Sequence, residues 1–366
     1  NDYYGGHRHG DNLFSDSLIA VDLETGDRLW HYQFIHHDVW DWDLPCAPIL
    51  ADVLIDGVER KIVAQPTKQS WLYVFDRETG EPIWPIEERE VEQSTVPGEV
   101  LAPTQPFVTR PPAYDRQGVT LDDLIDFTPE IRRRAEAIAE RHRLGPIFTP
   151  PTVSDPNGVA GTLMLPSQAG GTNWPGGSID PETGIAYLYT FTTVVSLGLI
   201  NDPERSDMNF IRGRSREIPA AEVALNVDGI PLVKPPWGRI TAIDLKVGEI
   251  VWQIPHGETP DNIRNHPLLA GVDLPRTGRV GRVGTLVTKT LVIAGEAGTF
   301  TTSSGEEGAM LRGYDKATGE EVGAVYMPAG ASGSPMTYMH NGRQYIVLAI
   351  SGGGFAGELI AFRLPG

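Results

Sequence analysis

Cysteine occurs once in the 366 residues, at Cys46. A single thiol excludes an internal disulfide, a CxxCH haem attachment and any multi-thiolate zinc site within the chain. Basic charge is also scarce: 30 Lys and Arg stand against 48 Asp and Glu, a formal net charge of −18. That balance argues against nucleic acid as a partner, because neutralising phosphates takes clustered cations. The one basic cluster, Arg132-Arg133-Arg134, is offset by Glu130, Glu136 and Glu140 in the same segment. No apolar run approaches the ~20 residues that a membrane-spanning helix needs. GxSxG and HExxH are both missing, so nothing indicates a serine hydrolase or a zincin.

Turn formers are abundant. The 41 Gly and 30 Pro are scattered among apolar runs, as in a fold of many short strands joined by tight turns. A repeat organises them. Ile19-Ala20-Val21-Asp22-Leu23-Glu24-Thr25-Gly26 leads to Trp30, and Leu72-Tyr73-Val74-Phe75-Asp76-Arg77-Glu78-Thr79-Gly80 leads to Trp84. A third copy, Ile240-Thr241-Ala242-Ile243-Asp244-Leu245-Lys246-Val247-Gly248, leads to Trp252. Weaker copies are Asp180-Pro181-Glu182-Thr183-Gly184 and Asp315-Lys316-Ala317-Thr318-Gly319; the last has Gly323 in place of the Trp.

Each unit reads as strand, turn, strand. The Asp bonds its own turn backbone, the Gly takes the positive φ, and the Trp plugs one sheet against the next. One copy is an ordinary hairpin turn, but five in order predict the blades of an all-β propeller. The whole of residues 1–366 reads as one propeller domain with two interruptions. Residues 85–151 form a Pro-rich insertion with one helix, capped by Thr128, opened by Pro129 and stopped by Gly145. Residues 192–236 form a second, irregular stretch.

Chemistry concentrates in His36-His37-Asp38-Val39-Trp40-Asp41-Trp42-Asp43, directly after the first repeat. On a strand, adjacent histidines point to opposite faces, which speaks against a shared metal. A carboxylate beside aromatic surface can act as a general base, although by residue type alone such aspartates more often serve as turn or surface groups. Lys68, expected at the opening of the next blade's strand pair, is either a solvated charge or a cation for a bound oxyanion. Gly170-Gly171-Thr172-Asn173-Trp174-Pro175-Gly176-Gly177 matches neither the Walker nor the dinucleotide fingerprint. It offers close backbone approach and the Asn173 amide.

Together these segments resemble the PQQ-dependent dehydrogenases (PQQ, pyrroloquinoline quinone), most closely the membrane-bound quinoprotein glucose dehydrogenase type. The resemblance rests on Gly5-Gly6-His7-Arg8, Asp11-Asn12-Leu13, residues 17–30, His36-His37-Asp38-Val39-Trp40-Asp41 and Pro66-Thr67-Lys68. It continues through Pro103-Thr104-Gln105-Pro106-Phe107, Ile147-Phe148-Thr149-Pro150-Pro151, residues 174–181 and Pro236-Trp237-Gly238. It closes with Pro335-Met336-Thr337-Tyr338 and Gly352-Gly353-Gly354.

The resemblance implies an eight-bladed propeller with tryptophan-docking repeats, PQQ over the central channel, and Ca2+ or Mg2+ beside it. It implies Asp41 as the base that takes the substrate's hydroxyl proton and as a group near, or on, the metal. Lys68 is the implied contact to the quinone oxygens, with Asn173 and Trp174 as further cofactor contacts. The implied substrate is a sugar, glucose or another aldose, or an alcohol. Electrons would pass to a respiratory quinone or another carrier in the periplasm.

Five repeats fall short of eight blades, and the chain opens at Asn1-Asp2-Tyr3 without a Met or a signal peptide. The expectation is a C-terminal fragment lacking N-terminal blades, upstream metal ligands and any membrane anchor, with little activity of its own. A propeller with the same blade repeat can also be a non-catalytic scaffold in outer-membrane protein assembly. That alternative accounts for the repeats but gives no role to Asp41, Lys68 and the Trp174 loop.

Overall fold

The computed structural model describes residues 3–301 and 305–363; Asn1 and Asp2, part of the chain's opening discussed above, lie outside them. Strands dominate, and nearly all of them pair antiparallel with a neighbour close in sequence. Ser17–Val21 and Arg28–Gln33 form a hairpin around the first repeat. Ile49–Ile55, Val58–Pro66 and Leu72–Asp76 form the next sheet. Gly177–Asp180, Ile185–Phe191, Gly238–Asp244 and Glu249–Pro255 form a four-stranded sheet. Two further sheets follow, one around Leu291–Gly295 and Glu307–Asp315, the other Met336–His340, Arg343–Gly352 and Phe355–Arg363. This is the all-β, blade-like architecture expected from the repeats.

The turn chemistry is as anticipated. Asp22 Oδ1 accepts the N–H of Glu24 and Thr25 at 2.9 and 2.8 Å, and Asp76 and Asp315 repeat the arrangement in their own turns. Gly26, Gly80, Gly248 and Gly319 all have positive φ. The tryptophans then meet these turns in a regular way. Trp30 lies on Gly80, Trp84 on Gly248 and Trp252 on Gly319: a Cβ at these glycines would come within 2.7, 2.9 and 2.9 Å of the indole atoms. Trp30 and Trp252 also donate Nε1–H to the carbonyls of Arg77 and Lys316, each at 3.2 Å. Each Trp therefore docks on the glycine of a later repeat's turn, and that glycine is needed for contact as well as for its φ.

This gives a measurable difference between glycines. Gly26 faces open space, so Gly26→Ala carries only the left-handed backbone strain, about 1 kcal/mol. Gly80→Ala adds a collision with Trp30 and is expected to lose about 3 kcal/mol in urea unfolding. Equal losses in the two variants would show that the Trp contact is not constraining.

Four expectations need correction. The second repeat does not close into a full hairpin: beyond its turn only Phe75 and Pro82 form a bridge, because Pro82 and Pro85 lack the N–H groups a ladder requires. The copies at 178–184 and 240–252 share one four-stranded sheet, so one repeat does not equal one blade. The helix Pro129–Ala139 begins as expected, with Thr128 accepting from Ile131 N at 3.2 Å, but ends well before Gly145. Gly145 is instead required where Thr149 packs, since a Cβ would lie 2.2 Å from its Oγ1. Finally, the insertion is not only loop and helix: Ile86–Glu90 and Thr104–Val108 pair as a further hairpin.

Candidate functional site

After Gln33 the chain leaves strand geometry and bends through residues 34–37. His36 and His37 still diverge, but because His37 takes φ 49° rather than through strand alternation. The His36 ring contacts Gln33 and Glu88 at 3.0 and 3.1 Å. The His37 ring contacts Gly10 O and Glu99 Oε1, each at 2.7 Å. Burial works against the Glu99 charge, yet the hydrogen bonds from His37 and the Gly5 amide hold its carboxyl below the usual range. Gly5 has to be glycine here, since a Cβ would sit 2.0 Å from His37 Nε2.

The loop is pinned from several sides. Gln105, fully buried, bonds both the N–H and the carbonyl of His36, at 2.9 and 2.6 Å. Arg8 reaches the Asp38 carbonyl. Trp40 and Trp42 stack with centroids 5.7 Å apart, and Phe148 meets both edge-on at 5.3 and 5.7 Å. Their indole N–H groups end on Thr149 O and Ser167 O. The tracts around Gln105 and Phe148 are thus the buried underside of this loop.

The three aspartates separate by environment. Asp38 accepts the N–H of Trp40 and Trp42, both at 2.8 Å, so its oxygens are committed to the turn. Burial, reinforced by the charge of Asp16, pushes its carboxyl up to about 8. The Asp43 side chain is 57% exposed and pairs with Lys68. Asp41 sits at the apex with φ 61° and a side chain 30% exposed. The Tyr3 hydroxyl donates to Asp41 Oδ2 at 3.1 Å, and the Lys68 ammonium lies 3.9 Å from Oδ1. Burial first, then the Asp41 charge, pushes Tyr3 up to about 12, so it remains a donor. Of the three, Asp41 combines reach to solvent with a fixed orientation, which is what a general base requires.

Lys68 does not open a strand pair; it lies in the tight connection between Val58–Pro66 and Leu72–Asp76. There it is almost fully buried, with Nζ donating to the Asp41 carbonyl at 2.9 Å and pairing with Asp43. The Gly-rich loop closes over it. Gly171 N donates to Lys68 O at 2.9 Å, and a Cβ on Gly170 would come within 2.7 Å of Lys68 Cγ. The same loop carries Asn173, whose side chain bonds Ala169 O at 2.6 Å and Trp174 N at 2.8 Å. Trp174 is 48% exposed, unusual for so large a ring. Asp41 and Lys68 therefore meet, and the Gly-rich loop packs on Lys68 through Gly170 and Gly171, while Asn173 bonds within its own loop. Tyr3, Glu99 and Gln105 were not foreseen as part of the constellation.

For a quinone cofactor the chain supplies one buried cation, one exposed indole surface, and buried polar atoms without partners: both ends of Gln69, Ser70 Oγ and Gln168 Oε1. These fit a flat molecule bearing carbonyl and carboxylate oxygens. A divalent metal is different. Among the described residues no three His, Cys, Asp or Glu groups converge, and a hard cation takes six or more oxygen ligands. Asp41 alone does not make a metal site.

Residues 1–346 match the family model described as PQQ, glucose/ethanol/alcohol dehydrogenase, β-propeller domain. The chain is 31% identical over 390 residues to quinoprotein glucose dehydrogenase of Escherichia coli, covering 100% of the chain and 46% of that protein. It is 30% identical over 389 residues to a probable quinate dehydrogenase (quinone) of Xanthomonas campestris pv. juglandis, covering 100% and 47%. The chain thus spans about half the length of the curated relatives it matches. Among solved structures, quinohemoprotein alcohol dehydrogenase from Comamonas testosteroni aligns with a TM-score of 0.54 at 24% identity, over 94% of this chain and 40% of that one. Europium-containing methanol dehydrogenase gives 0.55 at 18%, over 94% and 46%, which supports the same fold. The chain belongs to the PQQ family of glucose/ethanol/alcohol dehydrogenase β-propeller domains.

Proposed function

We propose that this chain forms the substrate-oxidising site of a PQQ-dependent dehydrogenase acting on a hydroxyl of a sugar or alcohol, with Asp41 as the base. The observation that carries this reading is the Asp41 carboxylate, partly exposed at a loop apex yet oriented by Tyr3 and flanked by the buried Lys68 ammonium. Family membership supports the cofactor, and the named glucose and quinate relatives support a polyhydroxylated substrate, an aldose first.

Asp41 takes the proton of the substrate hydroxyl. PQQ, when bound, supplies the two-electron acceptor for the hydride that leaves the same carbon. Lys68 holds negative charge on oxygen at the site, and its burial makes that charge count for more than it would in water. Asn173 and Trp174 would hold the cofactor from the Gly-rich loop. Calcium or magnesium at Asp41 would need most of its ligands from outside the described residues. Reduced cofactor would be reoxidised by a respiratory quinone or another carrier in the periplasm, in keeping with the acceptor in the quinate relative's name.

The test is dye-linked oxidation of glucose, other aldoses, polyols and short alcohols by the full-length protein, with and without added PQQ. The expected result is oxidation that requires PQQ, and the substrate ranking identifies the class. PQQ-independent oxidation would remove the reading, and no oxidation of any substrate would remove it in favour of a scaffold.

A further inference from the structure

The Lys68 ammonium is already served by the protein. An ammonium has three N–H donors. One reaches the Asp41 carbonyl at 2.9 Å, and another meets Asp43 Oδ1. The Asp41 carboxylate stands 3.9 Å off, beyond hydrogen-bond reach. Among the described residues, a single donor is left for anything else that approaches.

Asp43 differs from the other aspartates of its loop. Asp38 gives both oxygens to the Trp40 and Trp42 amides, and Asp41 accepts from Tyr3. Asp43 holds no backbone N–H among the described residues; its carboxylate bonds the Lys68 ammonium, and its side chain is 57% exposed. It therefore shapes no turn. Its charge is nevertheless felt inside the loop: burial first, with the Asp43 charge adding to it, pushes the Asp16 carboxyl up, while Arg8 and Lys68 pull it the other way. A ligand bearing carbonyl and carboxylate oxygens thus meets an ammonium that an exposed carboxylate already occupies. Two anions on one cation repel each other at a few ångströms, so the first weakens the hold on the second.

We infer that Asp43 is a resident counter-ion on Lys68 that the oxygens of PQQ displace on binding, so that it sets how tightly the cofactor is held. The inference rests on the proposed contact of Lys68 with PQQ and adds a residue that works against it. Until the cofactor arrives, Asp43 spares Lys68 an unpaired buried charge. Having no second bond, it can then turn into water at small cost, whereas Asp38 would have to give up two amides to do so.

The test titrates PQQ into the full-length protein, without substrate or electron acceptor, and follows the quenching of tryptophan fluorescence. The parent is compared with Asp43→Asn, Asp43→Glu, Lys68→Met and the double variant Asp43→Asn/Lys68→Met, with thermal melts taken before PQQ is added. Asp43→Asn is expected to bind PQQ about 10-fold more tightly, a modest gain because water screens a carboxylate that is more than half exposed. The same variant should melt lower before PQQ is added, since Lys68 then keeps only neutral hydrogen-bond partners. Asp43→Glu keeps the charge and should stay near the parent affinity. In the Lys68→Met background, Asp43→Asn should change PQQ binding no further. Unchanged or weaker binding in Asp43→Asn would show that Asp43 merely steadies Lys68 or the loop, and would overturn the inference. So would equal tightening in the Lys68→Met background, because Asp43 would then repel PQQ directly. Absence of saturable PQQ binding in a folded parent would overturn the Lys68 contact as well.

Discussion

Asp41→Asn in the full-length, PQQ-loaded protein is expected to lower kcat by on the order of 10³-fold, the scale of losing a positioned general base. The change is nearly isosteric, so Tyr3 and Lys68 keep an oxygen to face, but the amide does not take up a proton. Saturation with PQQ and the unfolding midpoint should move little, because Asp41 is partly exposed and the loop is anchored elsewhere. Those anchors are Asp38 on the Trp40 and Trp42 amides, Gln105 on His36, and Phe148 against the two indoles. Steady-state kinetics beside a thermal melt separates chemistry from folding. Retained turnover in the variant would take the base role away from Asp41. Asp38, though pushed up to about 8, is no substitute, because both of its oxygens face backbone N–H groups inside the turn.

Lys68→Met is expected to produce the second large effect. Methionine preserves the stem that packs against Gly170 and removes only the ammonium. Turnover should fall by about 10²- to 10³-fold, as when one preorganised donor to a developing oxyanion is lost. Unlike Asp41→Asn, this variant should also weaken PQQ binding, since under the proposed function the buried cation would face the cofactor's oxygens before as well as during the reaction. Stability changes in two opposing ways. The Asp41 carbonyl and the Asp43 carboxylate lose a donor, while the desolvation of a nearly buried charge is relieved. Kinetics and PQQ titration on the same preparation check the expectation. Wild-type affinity with reduced turnover would confine Lys68 to the transition state, and wild-type values for both would exclude it from the site.

The parts of the molecule that were legible in the sequence are those set by local chemistry. An Asp that bonds the amides two and three residues on, followed by a glycine of positive φ, identifies a turn whatever surrounds it, and the turns at Asp22, Asp76 and Asp315 formed accordingly. The N-terminus of the Pro129–Ala139 helix was legible for the same reason, through Thr128 and Pro129. Sheet partnership was not. The copies at 178–184 and 240–252 lie some sixty residues apart, and no local pattern tells them to share one sheet. Gly145 misled because a glycine after a helix looks like a stop, whereas its role is to admit Thr149.

The same division holds for the site. Asp41, Lys68 and the Gly-rich loop announced themselves by residue type and by resemblance, and they converge. Tyr3 reaches Asp41 from 38 positions away and Glu99 reaches His37 from 62, and neither sits in a pattern of its own; Gln105 lies in a tract that the resemblance includes, but nothing local ties it to His36. A glycine marks one of these contacts in retrospect, as Gly5 must clear His37 and Glu99. The tracts around Gln105 and Phe148 carry family resemblance but lie beneath the loop. They steady the loop that carries Asp41.

The measurement that bears most directly on the account is titration of PQQ into the full-length protein, followed by quenching of tryptophan fluorescence and by the quinone absorbance. Saturable binding of one PQQ per chain, weakened in Lys68→Met and preserved in Asp41→Asn, is the expected result. Absence of any saturable change, in a protein shown by its melt to be folded, would contradict it.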